Sequence, residues 1–528
     1  MRDIFMAPFI SLCMIVKNEE KVLKRCLDSV KGVVDEIVIV DTGSTDKTKE
    51  IALQYVDHVY DFEWTDSFAD ARNFAQSKAS GQWILVMDAD EYVDPNNLQA
   101  AIDEIKNQYD AFEVKIYNFS GMHGERIIQH HGLRIYKNNP AITFSRTIHE
   151  QLRKSEGELK VGSSSLILYH SGYLASVVKE KNKNKRNQFL LEKEMSFSEN
   201  NAFDYFNLGN EYQSQGDTEK ALEAYQKAYQ NKPDLRYSWV SFCVVQIINC
   251  LITLQRYKDA LNVIIDAEQI YSESPDFKCL KGIIYLDQHR YQDAITEFEE
   301  LIDKQEDYQN IISSVDFLEY FPHRALGIIY QKEKNYEKSV YHFTKALTLN
   351  KYCNRSLIGL MQILTEREEE REIVSFINHN NLINNNYDLF KFIRLFISLS
   401  QFDIARHYAE QVDNGLIKEG FNIKLELSKG NTAALKKFIE TRTLEQLNEI
   451  IKNGCIDIYD LILFCFELKD ISIIRLIFNL VKEENIKQLM EYLFTNNNTS
   501  YNCSKDILIL VERTLQFNQL SLFGKLAE

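Results

Sequence analysis

Two carboxylates, Asp88 and Asp90, stand one alanine apart directly after the apolar run Trp83 to Met87. Five successive apolar residues read as a buried strand, and the change from hydrocarbon to carboxylate marks its end. In an open α/β sheet the carboxyl ends of the strands face the ligand crevice, so an Asp-x-Asp there stands at the mouth of a site. Two hard oxygen ligands suit Mg²⁺ or Mn²⁺ carrying a diphosphate. The competing reading is a cap, with Asp88 or Asp90 accepting backbone N–H bonds ahead of the helix that Pro95 opens.

Other chemistry-bearing residues fall at comparable places. Asp41 closes a second apolar strand, Glu36 to Val40, and is followed by Thr42-Gly43-Ser44-Thr45-Asp46. It either accepts from a ligand N–H or caps the turn that these Gly and hydroxyl residues make. Arg72, in Asp70-Ala71-Arg72-Asn73, carries a fork that fits phosphate or the Asp-x-Asp carboxylates; on an exposed helix it would make an ordinary ion pair. The dense run Lys179, Lys181, Lys183, Lys185 and Arg186 is either a solvated linker or a cationic flap over a diphosphate.

The elements that must position these residues are short and alternate. Phe9 to Val16, Glu36 to Val40, His58 to Tyr60 and Trp83 to Met87 read as strands; Glu19 to Lys31 and Phe68 to Ala79 read as helices between them. That order predicts an α/β domain, a mainly parallel sheet with helices on both faces. Ala111 to Tyr117, Leu133 to Tyr136 and Leu166 to Tyr169 read as further strands. A Gly-rich phosphate loop is absent, which argues against a dinucleotide-binding protein.

Taken in order, Met14-Ile15-Val16-Lys17-Asn18-Glu19-Glu20, Val40-Asp41-Thr42-Gly43-Ser44-Thr45-Asp46, Ala71-Arg72-Asn73 and Asp88-Ala89-Asp90 resemble a family 2 glycosyltransferase over roughly the first 175 residues. The resemblance implies a GT-A-like nucleotide-diphospho-sugar fold, a uridine diphosphate (UDP) sugar donor, a divalent metal and inversion at the anomeric carbon. It places Ile15, Lys17, Asn18 and Glu19 at base and ribose, and Asp41 on the uracil. Arg72, Asp88, Ala89 and Arg186 fall on the donor, and Asp88, Asp90 and His170 on the metal. An inverting transfer needs a group that takes the acceptor's proton, and the segment Thr147-Ile148-His149-Glu150 resembles the one that supplies it; Glu150 is favoured over His149. His170, at a strand end, is otherwise a satisfied structural histidine. The Gln-x-x-Arg-Trp pattern of processive synthases is missing.

With 528 residues the chain holds about three domains. Its net charge of −16 disfavours nucleic acid and anionic membrane partners. Nine scattered cysteines without a Cys-x-x-Cys pair fit a reducing cytoplasm, and no segment approaches 18 uninterrupted apolar residues. After a catalytic domain, 1–178, and a basic linker, 179–203, the chain turns to helix pairs over 204–350 and degenerate ones over 351–528. Leu208-Gly209, Tyr212, Gly216-Asp217, Ala221, Tyr225 and Ala228 resemble a tetratricopeptide repeat. Ala260 to Ala294 is 294 − 260 = 34 residues, the period of that repeat, whereas Ala294 to Ser339 is 339 − 294 = 45, which implies an insertion of 45 − 34 = 11.

Such a solenoid presents a concave surface to a peptide or protein. The domain order resembles bacterial enzymes that glycosylate Cys or Ser of small antimicrobial peptides (bacteriocins). The expected function is therefore transfer from a UDP-sugar to a peptide side chain. The alternatives are transfer to a cell-surface or lipid-linked glycan and a non-catalytic scaffold. Apolar helix faces near the C-terminus make a homodimer an open expectation.

Overall fold

The computed structural model describes residues 8–121, 126–174, 191, 202–235, 237–272, 274–308, 314–429, 431–468, 471–481, 484–494 and 509–510. The whole basic run, Lys179 to Arg186, lies outside them. The chain divides into two compact units, Met1–Ser356 and Leu357–Glu528.

The first unit opens with β1 (Ile10–Val16), α1 (Leu23–Val30), β2 (Glu36–Asp41), α2 (Thr48–Ala52), β3 (Tyr60–Asp61), α3 (Phe68–Lys78) and β4 (Trp83–Val86). There follow β5 (Glu91–Tyr92), α4 (Pro95–Asp103), β6 (Ala111–Gly121), β7 (Arg126–Lys137), β8 (Ile142–Ser145), β9 (Gln151–Lys154) and β10 (Val161–Leu174). Eight strands form one sheet in the order β3-β2-β1-β4-β7-β6-β10-β5, and β8 and β9 make a separate hairpin. The β3-β2-β1-β4 half is parallel, as the βα alternation requires. β7 then runs antiparallel to both β4 and β6, and β10 returns parallel to β6.

Apolar clusters cover the sheet. One joins Leu12, Met14, Leu85 and Met87 to Leu23, Leu27, Leu98 and Ile102 of α1 and α4; the other joins Cys13, Val38, Val40, Ile84 and Val86 to Ala69 and Ala75 of α3. Alternate residues of β1 and β4 thus feed opposite faces, the period-two rule applied to strands buried on both sides. The first helix is shorter than its periodicity indicates. The backbone N–H groups of Asn18, Glu19 and Glu20 instead donate to Ser44, Thr48 and Asp46, which ties the loop after β1 to the loop after β2. Strand β10 is longer than expected, because Val161 to Ser163 also pair with β6 before a register shift at Ser163/Ile167.

Four helix pairs follow: Ala202–Gln215 with Thr218–Gln230, Ser238–Thr253 with Tyr257–Ile270, Pro275–Asp287 with Tyr291–Asp303, and Tyr320–Lys332 with Tyr336–Leu349. Small residues set three of these crossings. A Cβ at Gly209, Gly282 or Gly327 would fall within 3.0 Å of the ring of Tyr225, Phe298 or Phe343. A residue with positive φ stands one or two positions past the end of the first helix of each pair, Gly216 (81°), Gln255 (59°), His289 (60°) and Lys334 (59°). The same turn recurs at Ser400 (59°) in the second unit, between helices Asn386–Ser398 and Phe402–Ala409, so paired helices continue where the sequence pattern has faded.

The inserted residues have a structural use. A single-turn 3₁₀ helix, Val315–Phe317, precedes Tyr320–Lys332; Ser314 bridges to Ile128 of β7, and Asp316 accepts from the Ile127 N–H at 3.4 Å. The stretch that breaks the repeat period thus pairs with the catalytic sheet.

The second unit is helical as well, from Glu370–His379 to Glu484–Phe494, with a buried Lys424–Asp460 ion pair. Among the described residues, no helix is long and apolar enough to cross a membrane, and the eight cysteines are free and buried.

Candidate active site

The candidate site forms at the carboxyl end of β4, where Asp88, Ala89 and Asp90 lead into β5. Capping of α4 falls to Asp94, whose Oδ1 accepts from the N–H groups of Asn96 (2.8 Å) and Asn97 (3.0 Å), with Pro95 in the first turn. Asp88 and Asp90 are thereby released from the capping role that the sequence also allowed.

Asp88 sits between two guanidinium groups. Arg72 Nη2 donates to Asp88 Oδ1 at 2.8 Å, and Arg134 Nη2 lies 3.6 Å from Oδ2. Burial opposes charge on Asp88, yet the two arginines hold its carboxyl well below the usual range. Arg134 also donates to Glu91 Oε1 at 2.7 Å, and Glu91 Oε2 accepts from the Asp88 N–H at 2.8 Å. Burial raises the Glu91 pKa; Arg134 offsets this only in part, and Asp88 adds to it.

Arg72 reaches the other way too. Its Nε donates to Glu150 Oε1 at 2.5 Å, while Nη1 is buried without a hydrogen-bond partner. An orphaned guanidinium N–H in a cleft is a donor awaiting an acceptor. Its neighbour in sequence, Asn73, brackets β8, donating to the Phe144 carbonyl at 2.9 Å and accepting from its N–H at 2.8 Å. Residues 72 and 73 thus hold the hairpin that carries Glu150.

On the opposite side, His170 of β10 pairs in register with Glu91 of β5, which brings its Nε2 to 3.3 Å from Asp90 Oδ1. The other ring nitrogen lies 2.7 Å from Asn118 Oδ1, and the Asn118 amide donates to His130 Nδ1 at 2.6 Å. Burial pushes His130 down to about 4, so it is a neutral acceptor, and this orients Asn118 with its oxygen toward His170. Burial disfavours charge on His170, but Asp90, Glu91 and Asp88 together raise its pKa. Gly172 completes the cradle, since a Cβ there would press within 3.0 Å of both Asp90 Oδ2 and His170 Nε2.

The expected set of three metal ligands is not assembled. Among the described residues no group of three His, Cys, Asp or Glu side chains could hold a metal ion, and the Asp88 carboxylate faces the arginines instead. Asp90 and His170 remain a fitting pair. A carboxylate lies beside an imidazole whose second nitrogen is fixed by an amide oxygen, the support a metal-bound histidine needs. Asp88, Asp90, Glu91 and Glu150 gather around Arg72, Arg134 and the His170 ring.

Other expected positions resolve unequally. Asp41 is buried and its carboxylate accepts from the Gly43 N–H (3.0 Å) and the Ser44 N–H (3.0 Å), so it caps its turn. Ile15 is in β1 opposite Val40, Lys17 is exposed, and Asn18 Oδ1 accepts from the Thr45 N–H at 2.8 Å. His149 turns toward Phe203, ring centroids 6.4 Å apart, and burial pushes its pKa down to about 4. Only Glu150 of the two base candidates contacts the Arg72–Asp88 network.

Most of these residues lie within recognisable sequence bounds, with His170 and Gly172 just past the first. Residues 11–168 match the glycosyl transferase family 2 model and residues 202–235 the tetratricopeptide repeat model. The chain therefore carries a family 2 glycosyltransferase domain followed by tetratricopeptide repeats. A tetratricopeptide repeat-containing protein of Synechococcus elongatus is 29% identical over 279 residues, 50% of this chain and 66% of that relative. The SPbeta prophage-derived glycosyltransferase SunS of Bacillus subtilis is 27% identical over 311 residues, 56% of this chain and 71% of the relative. An uncharacterized glycosyltransferase of Rickettsia felis is 37% identical over 112 residues, 20% of this chain and 39% of it.

Proposed function

We propose that the protein moves a sugar from a UDP-sugar to a peptide or protein side chain, Cys or Ser, with inversion and with Mg²⁺ or Mn²⁺. The observation that carries this reading is the pairing of Asp90 with His170 beside a buried Arg72 that still has a free N–H. A divalent cation held by Asp90 and His170 would offset charge on the diphosphate leaving group. Arg72 Nη1 is the donor for a phosphate oxygen, and Arg186 is assigned to the same diphosphate. Asp88 keeps Arg72 in place, and Ala89 leaves room for the donor. Ile15, Lys17, Asn18, Glu19 and Asp41 border the base and ribose, where Asp41 would have to exchange a turn hydrogen bond for one from uracil.

Glu150 takes the acceptor proton. Its Oε1 is held by Arg72, which leaves Oε2 for the acceptor. The repeats supply the protein-binding surface. The order of the two domains, which resembles that of bacterial peptide glycosyltransferases, supports a peptide acceptor over a glycan.

The test is nucleotide release from a panel of sugar nucleotides with Mn²⁺, Mg²⁺ or chelator, followed by intact-mass analysis of peptide and glycan acceptors. Metal-dependent release from one donor and a hexose-sized gain on a peptide are expected. A gain on a glycan alone would reassign the acceptor, and metal-independent turnover would remove the cation from the account.

A further inference from the structure

We infer that the first repeat helix is a working part of the active site: Asp204, through Arg146, holds the loop that carries Glu150, making Arg146 and Asp204 positioning residues for the transfer step. The inference rests on Glu150 acting at the acceptor.

Residues 146–150 form the tip of the β8–β9 hairpin, closed by the Ser145–Gln151 pair. The tip is conformationally expensive. Arg146 (φ 82°) and His149 (φ 52°) both occupy the left-handed region, which non-glycine residues rarely adopt and which persists only where surroundings enforce it.

Most of that enforcement comes from the helix Ala202–Gln215. Arg146 forms an ion pair with Asp204, its guanidinium carbon lies 5.8 Å from the centre of the Phe203 ring, and the two charged side chains are 6% and 1% exposed. Ile148 is buried in a cluster with Leu191 that Phe68 and Leu208 cover. The His149 ring stands edge-on to Phe203. Thr147, whose carbonyl accepts from the Phe68 N–H at 2.9 Å, Phe68 itself against Ile148, and Glu150, bound by Arg72, tie the tip to the catalytic domain.

The ion pair has little redundancy on the arginine side. Arg146 Nε and Nη1 are buried without partners, so loss of the Asp204 charge leaves a buried cation uncompensated. The cheapest relief is for the tip to abandon its left-handed turns, which withdraws Glu150 from Arg72. Donor binding, on the far side of Arg72, needs no such support.

The experiment compares the full chain with Asp204→Asn, Arg146→Lys, Glu150→Gln and the Asp204→Asn/Glu150→Gln double variant. It measures kcat, acceptor KM, donor Kd and melting temperature. Asp204→Asn should lower kcat about 100-fold, the cost of an ångström-scale displacement, with donor Kd within about threefold of the parent. Glu150→Gln should then add almost nothing, because a displaced base has no more to lose. Arg146→Lys retains the charge and should recover part of kcat; it carries the same readouts if Asp204→Asn does not fold. Unchanged kcat in Asp204→Asn, or losses that multiply in the double variant, would overturn the inference. An inactive parent would instead defeat the transferase reading itself.

Discussion

The two sides of the cleft are built on opposite electrostatic plans. On the arginine side, Asp88 lies between Arg72 and Arg134, and each guanidinium has a second carboxylate, Glu150 or Glu91. On the histidine side, Asp90 pairs with the His170 imidazole, whose pKa Asp90, Glu91 and Asp88 together raise. Two carboxylates separated by one residue therefore have different work. Asp88 is held between two guanidinium groups, whereas Asp90 is the carboxylate that the proposed function assigns to the cation. The difference teaches that an Asp-x-Asp pair need not act as one chelate: the neighbouring strands decide what each oxygen meets.

That contrast can be broken by substitution. The largest expected effect is on turnover in Asp90→Asn, about a 1,000-fold loss, since a cation on a diphosphate contributes several kcal/mol. Its melting temperature should fall less than that of Asp88→Asn, because one contact with His170 is weakened rather than the counter-ion shared by two guanidinium groups. Asp88→Asn should behave in reverse, with stability falling by about 3 kcal/mol as two buried guanidinium groups lose a shared counter-ion. Thermal melts of the two variants side by side check this, and equal destabilisation would erase the distinction between the two sides. Glu150→Gln should cost about 100-fold or more in turnover on a serine acceptor and less on a cysteine, whose thiol ionises more readily. Matched Ser and Cys peptides read this out directly; equal losses would remove Glu150 as the base. Gly172→Ala should separate Asp90 from His170 and weaken Mn²⁺ binding about 10- to 100-fold, with the arginine side intact.

The smallest effect lies away from the cleft, where Asp316 joins the inserted turn to β7. Burial, with Glu319 nearby, raises its pKa from 3.8 to about 7, against the pull of the Ile127 N–H, Arg126 and Arg324. A raised acid binds its proton more tightly in the folded state, so its contribution is most favourable below 3.8 and is lost as pH rises toward 7. Asp316→Asn should therefore stabilise by about 1–3 kcal/mol at pH 8 and little at pH 4. Melting curves at the two pH values decide it, and an equal shift at both would deny the titration.

Much of the frame was legible in the sequence because it rests on periodicity. Apolar runs ending in Asp41 and Asp88 are strands covered on both faces, and the 34-residue spacing of Ala260 and Ala294 marks paired helices. The α4 cap is Asp94, directly before Pro95, and not Asp88 or Asp90 as the competing reading had it. What escaped depends on register. Arg134, Asn118 and His130 lie on β6 and β7, whose pairing shifts between Phe112 and Glu113, and a shift of one residue reverses which side chains face the cleft. Arg134 gave one signal, as the single charge inside the predicted strand Leu133 to Tyr136. Glu91 gave another, directly after Asp90. Docking of the 11-residue insertion on β7 gave none, because period counting locates an insertion without saying what it touches.

The most direct measurement of the contrast is Mn²⁺ binding, by electron paramagnetic resonance with UDP present, to the parent protein, Asp88→Asn and Asp90→Asn. Loss of bound Mn²⁺ in Asp90→Asn with retention in Asp88→Asn is the predicted result. Retention in Asp90→Asn, or a stronger loss in Asp88→Asn, would contradict the assignment of the cation to the histidine side.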